Sequence, residues 1–281
     1  MRPKISVLLP VYNGQRFLKK ALASLFNQSE EIEIIAVDDA SQDDSLAVLR
    51  SIKEKRLRVF HHRKNQGLAK TINHAAREAK APLLARMDQD DLSYPERLEK
   101  QYAYMLKHKL NLVGSWYEDI DDQGQVVKKV CRLTAHQDLK KALLVDTYFC
   151  HGSLLFSKDV WERAGGYDRE FDYAEDYDFI SRVALLKGVK VGNVAEILYQ
   201  HRVNPQGMSL SRQKYQEKTR DKISERNFRR WQDYYHWGYA GKSEEEESYQ
   251  KEVADRLVQE FIKKGLVHLV LVEYFSSWMI K

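Results

Sequence analysis

Asp88, Asp90 and Asp91 crowd three carboxylates into four positions, directly after an apolar run over residues 82 to 87. Carboxylates this close repel one another, and a hard divalent cation with oxygen ligands, Mg2+ or Mn2+, relieves that repulsion. A solvated acidic turn would account for the same letters. Two more acid pairs have comparable settings. Asp38-Asp39 closes a second apolar run, 32 to 37, and Glu175-Asp176 opens an amphipathic stretch carrying Phe179, Ile180, Val183 and Ala184. The helix macrodipole favours acids at a helix start, so this last pair also has a purely structural reading.

These acids need elements to hold them, and the hydrophobic pattern supplies those elements in order. Residues 4 to 9 predict a buried strand, cut by Pro10 and the turn Asn13-Gly14, and Phe17, Leu18, Ala21, Leu22, Leu25 and Phe26 then recur at helical spacing. A strand over 32 to 37, a helix marked by Leu46, Leu49 and Ile52, a short strand over 57 to 61 and a helix over 68 to 79 lead to the acidic run. Tyr94-Pro95-Glu96-Arg97 starts the next helix, with Asp91 expected as a helix-start acid. Strands alternating with helices predict an α/β fold whose parallel sheet is covered on both faces. In such sheets ligands lie outside the carboxyl ends of the strands, where residues 10 to 14, 38 to 39 and 88 to 91 fall.

Parallel order then gives way to mixed order. A hairpin is expected from 112 to 120 and 126 to 133, with a short helix near 139 to 145 and a strand over 147 to 156. A short helix over 158 to 164 ends at Gly165-Gly166, and strands over 189 to 194 and 197 to 201 finish the regular part. Residues 206 to 281 read as a helical appendage, apolar almost all round from 266 to 280. Residues 212 to 231 hold eight Lys/Arg and three Asp/Glu, equal to the whole net charge of +5. A solvated helix face, an anionic membrane surface, a phosphorylated substrate and nucleic acid all suit such a segment.

At 281 residues with 43% hydrophobic and 31% charged, the composition is that of a globular protein with a full core. No run reaches the roughly 18 apolar residues of a membrane span, and Met1-Arg2-Pro3-Lys4 leads into a strand without a secretory segment, so a cytoplasmic protein is expected. Cys131 and Cys150 have no metal-ligand spacing, which fits a reduced compartment. No G-x-G-x-x-G occurs, against a dinucleotide-binding dehydrogenase, and residues 236 to 243 lack the first glycine and the preceding strand of a P-loop.

Six motifs in one order, SVLLPVYNG (6 to 14), VDDAS (37 to 41), NQGLAKTIN (65 to 73), MDQDD (87 to 91), AGGYD (164 to 168) and AEDYDF (174 to 179), resemble glycosyltransferase family 2, over about residues 4 to 205. The resemblance implies a GT-A fold, with a mixed, mainly parallel sheet and helices on both faces. It implies an inverting transferase using a nucleotide-diphosphate sugar donor and Mn2+ or Mg2+. A catalytic domain over 1 to 205 and a helical region over 206 to 281 follow. By the same resemblance Pro10, Val11 and Tyr12 hold the nucleoside base, Asp39 accepts its imide hydrogen, and Lys70 lies near base and diphosphate. Asp88 contacts the ribose, Asp90 binds the metal, and Asp176 is the catalytic base beside Glu175. A common family ending has His two residues after Arg; here Asn204 holds that place after Arg202, and His201 is the alternative ligand.

The acceptor is expected to be a glycan or a lipid-linked hydroxyl in cell-surface polysaccharide or glycolipid assembly, with no nucleic-acid partner. The C-terminal region either packs on a neighbour or makes peripheral contact with the inner face of the membrane. Two other readings stand beside the transferase. A nucleotidyltransferase would show a Gly-rich basic loop after the first strand, which residues 10 to 14 lack. A sugar-nucleotide or glycan-binding module without turnover would not need Asp39, Asp88, Asp90 and Asp176 together.

Overall fold

The computed structural model describes residues 3 to 144, 146 to 203 and 213 to 236. It forms one nine-stranded sheet. The first half alternates β1 (Ile5–Val11), α1 (Gln15–Phe26), β2 (Ile32–Asp38), α2 (Ser45–Ser51), β3 (Leu57–His61), α3 (Leu68–Glu78) and β4 (Leu83–Arg86). These four strands pair in parallel in the order β3, β2, β1, β4. The chain then runs through β5 (Leu92–Ser93), α4 (Arg97–His108), β6 (Leu112–Ile120), β7 (Val126–Val130), α5 (His136–Ala142), β8 (Leu155–Ser157), α6 (Lys158–Arg163), α7 (Glu175–Ala184), β9 (Val191–Arg202) and α8 (Gln213–His236). Beyond β4 the sheet continues as β8, β6, β9 and β5, with β7 paired to β6. Only β6 with β9 is parallel there.

Alternation along the strands divides the core between the two faces. Ile5, Val7, Leu9 and Val11 of β1 pack with Leu18, Leu22 and Leu25 of α1 and Leu98 of α4. Leu8 of β1 and Ile35 and Val37 of β2 face the other way, onto Ile72 and Ala76 of α3 and Phe179, Ile180 and Val183 of α7. Each large apolar side chain buried this way contributes about 1.5–3 kcal/mol. Pro10 is tolerated in a central strand because β4 pairs with β1 only from Ile5 to Leu8. Past that point β1 and β4 diverge. Strand order reverses between them, so a crevice opens at the switch point.

Three expectations differ locally from what is found, the simplest being that the strands expected over 189 to 194 and 197 to 201 are one, β9. Asp91 is followed by β5, and α4 begins only at Arg97, so Asp91 does not start a helix. Residues 147 to 156 are not one strand: a 3-10 turn, His151–Ser153, precedes a three-residue β8. Phe149, Cys150 and Leu154 are buried as their apolar character requires. The backbone there is satisfied by side chains instead of strand neighbours, with Arg97 donating to Gly152 O at 2.9 Å, Gln101 to Ser153 O at 2.7 Å and Asn193 to Tyr148 O at 3.1 Å.

α8 lies against α7 and the segment after α5. Ile223 joins the core beneath α7, and Asn227 donates to Leu143 O at 3.0 Å and Ser181 Oγ at 2.8 Å. Arg220 pairs with Asp146 at 3.1 Å and Arg226 with Asp178, so part of the basic segment is neutralised within the chain. The expected boundary near 205, the break near 238 to 243 and the apolar stretch 266 to 280 lie outside the described residues. Among the described residues no helix is long and apolar enough to cross a membrane.

Candidate active site

The loops after β1, β2 and β4 meet at the crevice. Asp39 N donates to Val11 O at 2.7 Å, Asn13 N to Ser41 Oγ at 3.0 Å and Gly14 N to Ser45 Oγ at 2.8 Å, which ties the first loop to the second. Gln89 binds the first loop from the other side. Its Oε1 accepts from Tyr12 N at 2.7 Å and its Nε2 donates to Tyr12 O at 2.8 Å, so one carboxamide satisfies both backbone groups of Tyr12. A Cβ at Gly14 would lie 2.3 Å from that Oε1. The glycine of the Asn13-Gly14 turn is therefore needed for close approach. Tyr12 remains 38% exposed, its ring free to cover a planar ligand.

Asp39 is 4% exposed, and three protein groups engage its carboxylate. Its Oδ1 accepts from Gln66 N at 2.8 Å and lies 2.7 Å from His62 Nδ1, and its Oδ2 accepts from Gly67 N at 2.9 Å. Lys70, one turn into α3, donates to Gln66 Oε1 at 3.1 Å and lines a cavity of about 370 Å³ with Asn73, Tyr167, Asp168, Arg169 and Arg182.

Arg86, the last residue of β4, is completely buried and donates to Asp88 Oδ1. Burial alone would raise the Asp88 carboxyl, but the charge of Arg86 and its hydrogen bond bring it below the ordinary aspartate range. Asp90 lacks such compensation: burial and the charge of Asp88 push it up to about 6. Asp91 is pushed up to about 7 by burial, Asp88 and Asp90. Its role is to pin the loop to β9, because Tyr199 Oη donates to Asp91 Oδ2 at 2.6 Å and Arg202 N to Oδ1 at 2.7 Å. Arg202 Nε also donates to Asp90 O at 2.8 Å. His201 projects beside these acids, 2.9 Å from Asp119 Oδ1, and although burial opposes it, Asp91 and Asp119 hold its imidazole above the usual range.

Among the described residues no three His, Cys, Asp or Glu side chains are arranged to hold a metal ion by themselves. The donor set fits a different arrangement, in which Mg2+ or Mn2+ takes one or two carboxylates and fills its shell with phosphate oxygens and water. Asp90, with its under-compensated charge beside Asp88, suits that role. Burial also pushes the Cys150 thiol up and His151 down to about 3, so no thiolate–imidazolium pair forms between these neighbours.

The third acid pair opens α7. Gly165 and Gly166, both at positive φ, turn the chain after α6 and deliver Tyr167. Asn73 holds it as Gln89 holds Tyr12: Tyr167 N donates to Asn73 Oδ1 at 2.9 Å and Asn73 Nδ2 to Tyr167 O at 2.7 Å. Trp161 Nε1 donates to the same oxygen at 3.1 Å. Tyr167 stacks on Phe179 at 4.2 Å, and its hydroxyl lies 3.1 Å from His151 Nε2. Burial raises that hydroxyl; the charge of Arg86 opposes, and Asp176, Glu175 and Asp88 add to the rise.

Glu175 is 8% exposed, and burial followed by the charge of Asp176 pushes it up to about 8. Burial also raises Asp176, against opposition from Arg220. A helix N-terminus stabilises an acid's charge by about 0.3–1 kcal/mol, whereas one pKa unit is about 1.4 kcal/mol. Burial outweighs the dipole here. A residue in left-handed conformation, Tyr173 at φ 71°, stands two positions before Glu175.

Sequence reasoning missed Arg86, Gln89, Tyr167, Asn73 and the pinning role of Asp91. Arg86 alone left a signal, as a charge inside an otherwise apolar strand. The others depend on partners far away in the chain.

Comparisons with known proteins bear on the family and the fold. The family model described as glycosyl transferase family 2 matches residues 6 to 164. An O-antigen biosynthesis glycosyltransferase, WbnJ of Escherichia coli, is 30% identical over 220 residues, covering 76% of this chain and 85% of that one. A putative glycosyltransferase, EpsE of Bacillus subtilis (strain 168), is 31% identical over 207 residues, covering 71% and 73%. Among solved structures, S. aureus TarS 1-349 in complex with UDP-GlcNAc superposes with a TM-score of 0.64 at 20% identity, over 78% of this chain and 65% of that one, just under two thirds of its length.

Proposed function

The chain belongs to glycosyl transferase family 2, and from that premise we propose that it is an inverting, metal-dependent enzyme that transfers a sugar from a uridine-diphosphate sugar to a hydroxyl of a glycan or lipid-linked acceptor in surface-polysaccharide assembly. The observation that carries this reading is the meeting of the loops after β1, β2 and β4, which brings Tyr12, Asp39, Gln89 and the acids from Asp88 to Asp91 to one edge of the sheet.

Tyr12 covers the base and Asp39 accepts its imide hydrogen through the lone pair that its protein partners leave on Oδ2. Asp88, kept ionised by Arg86, is suited to the ribose hydroxyls. Asp90 is the residue that would hold Mg2+ or Mn2+, which would offset the charge developing on the departing diphosphate. Burial raises both carboxyls of this pair, Glu175 up to about 8. A raised carboxylate is a stronger base than an ordinary one, and Asp176 takes the proton of the attacking hydroxyl. One displacement inverts the anomeric carbon and needs no protein nucleophile. The uridine assignment is supported by the UDP-GlcNAc complex of TarS and by the acceptor-only character of Asp39. The names of relatives such as WbnJ support the acceptor class.

A screen of nucleotide sugars, with and without Mn2+ and with the product anomer read by NMR, tests the reading. The expected result is metal-dependent turnover of one uridine-diphosphate sugar with inversion. Turnover unaffected by EDTA would remove the metal from the mechanism, and a retained anomer would remove the single displacement.

A further inference from the structure

Behind Asp39 the structure holds two histidines in line. His62 Nδ1 is 2.7 Å from Asp39 Oδ1, and His62 Nε2 is 2.8 Å from His74 Nδ1 on α3. The two rings are nearly coplanar, with an interplanar angle of 17° and centroids 5.0 Å apart, as an edge-to-edge hydrogen bond requires. Phe60 packs against His74 at 5.4 Å. The remaining donors to the same carboxylate, Gln66 N and Gly67 N, are fixed backbone groups.

We propose that His62 and His74 are positioning residues that fix Asp39 as a pure hydrogen-bond acceptor and so set which nucleobase the donor carries. The inference rests on the assignment of Asp39 to the base under Proposed function. Each imidazole nitrogen in the chain has one consistent role. With Asp39 ionised and His62 neutral, His62 carries its proton on Nδ1, which leaves Nε2 as an acceptor for a proton that His74 donates from Nδ1. Every N–H of the relay then points toward Asp39. Burial, and then the proximity of His62, lowers His74, which keeps this end of the relay neutral. A carboxylate held in this way presents only lone pairs to a ligand. A base with an imide N–H satisfies it, whereas cytosine, which presents a lone pair at the same ring position, leaves two acceptors facing each other.

The test uses metal-free protein and three probes, UMP, N3-methyl-UMP and CMP, so that neither diphosphate nor metal contributes. Wild type is expected to prefer UMP over both others. His62→Leu should reduce that preference about tenfold, the worth of one charge-assisted hydrogen bond. His62→Asn, whose side-chain amide donates from nearly the place of Nδ1, should restore most of it. His74→Leu frees the His62 tautomer and should produce an intermediate loss. Melting temperatures of all variants separate misfolding from selectivity. If His62→Leu is folded and discriminates UMP from CMP as wild type does, the histidines do not position Asp39 and the proposal falls alone. If wild type itself binds UMP and N3-methyl-UMP equally, Asp39 does not read the imide, and the base assignment falls together with the proposal.

Discussion

Tyr12 and Tyr167 head two loops of the site, one after β1 and the other after α6, and each is gripped by a carboxamide that pairs with both its backbone groups. Each grip has a glycine beside it. A Cβ at Gly14 would lie 2.3 Å from Gln89 Oε1, and one at Gly166 would lie 2.6 Å from Asn73 Oδ1. The settings differ. The Gln89 clasp lies at the exposed mouth of the crevice, whereas Asn73 is partly buried and also accepts from Trp161. The same chemistry therefore has different consequences: a wet clasp mostly orders a loop for its ligand, and a buried one also holds the fold, because breaking it strands polar groups away from water.

The acids beside the two loops diverge in the same sense. Asp39 and Asp88 have donors or a buried cation beside them, while Glu175 is surrounded by burial and a second acid. Donors and a buried cation thus engage the first set, whereas burial and a neighbouring acid raise the second. The strongest challenge to this division is Asp176→Asn, which keeps shape but cannot accept a proton; transfer should fall by roughly 100- to 10,000-fold with nucleotide affinity intact. Single-turnover rates at near-wild-type rate would show that Asp176 is not the base. Asp90→Asn should weaken Mn2+-dependent binding of the donor by about 10- to 100-fold, the range for a lost charged contact, as read by calorimetry.

A pH titration of stability sharpens the same contrast. Glu175 at about 8, Asp91 at about 7 and Asp90 at about 6 all stand above their unfolded values of 4.5 or 3.8. The lowered histidines, His151 above all at about 3, oppose these acids below pH 6.5, so the fall in stability as pH rises is expected from about 6.5 to 8, through the values of Asp91 and Glu175. The melting temperature of metal-free protein should follow that slope, and Glu175→Gln should flatten its upper part. Mn2+ should recover stability near pH 7 in wild type but not in Asp90→Asn.

The clasps themselves give the smaller effects. Asn73→Ala leaves Trp161 Nε1 and both Tyr167 backbone groups without their partner and should cost about 1–3 kcal/mol, seen as a shift of several degrees in melting temperature. Gln89→Ala should cost less than about 1 kcal/mol of stability and weaken donor binding about two- to tenfold, because water replaces the lost bonds at an exposed site. Equal stability losses in the two variants would erase the distinction between them.

Much of this architecture was legible from local pattern. The alternation of β1 to β4 with α1 to α3 follows from hydrophobic periods of 2 and 3.6, since each element must bury one face or both. The acids Asp39, Asp88 and Asp90 followed strand ends, and in a parallel sheet strand ends of one sense share one edge. Residues 147 to 156 show where pattern misleads: their apolar character reports burial, and burial is as well served by a turn whose carbonyls Arg97, Gln101 and Asn193 satisfy. Asp91 misled in the same way, as an acid near a helix whose true partners are on β9.

The sequence by itself determined which segments are strands and helices, the order in which they meet, and that carboxylates end up at one edge of the sheet. Only the tertiary structure decided which of those carboxylates stay charged, which hold protons, and what aims them. Gln89 grips Tyr12 across 77 residues, Asn73 grips Tyr167 across 94, and Tyr199 reaches Asp91 across 108. Periodicity is a property of neighbours along the chain and encodes burial. Hydrogen-bond partners and pKa values depend on which distant groups the packed sheet brings within a few ångströms, and no local pattern carries that distance.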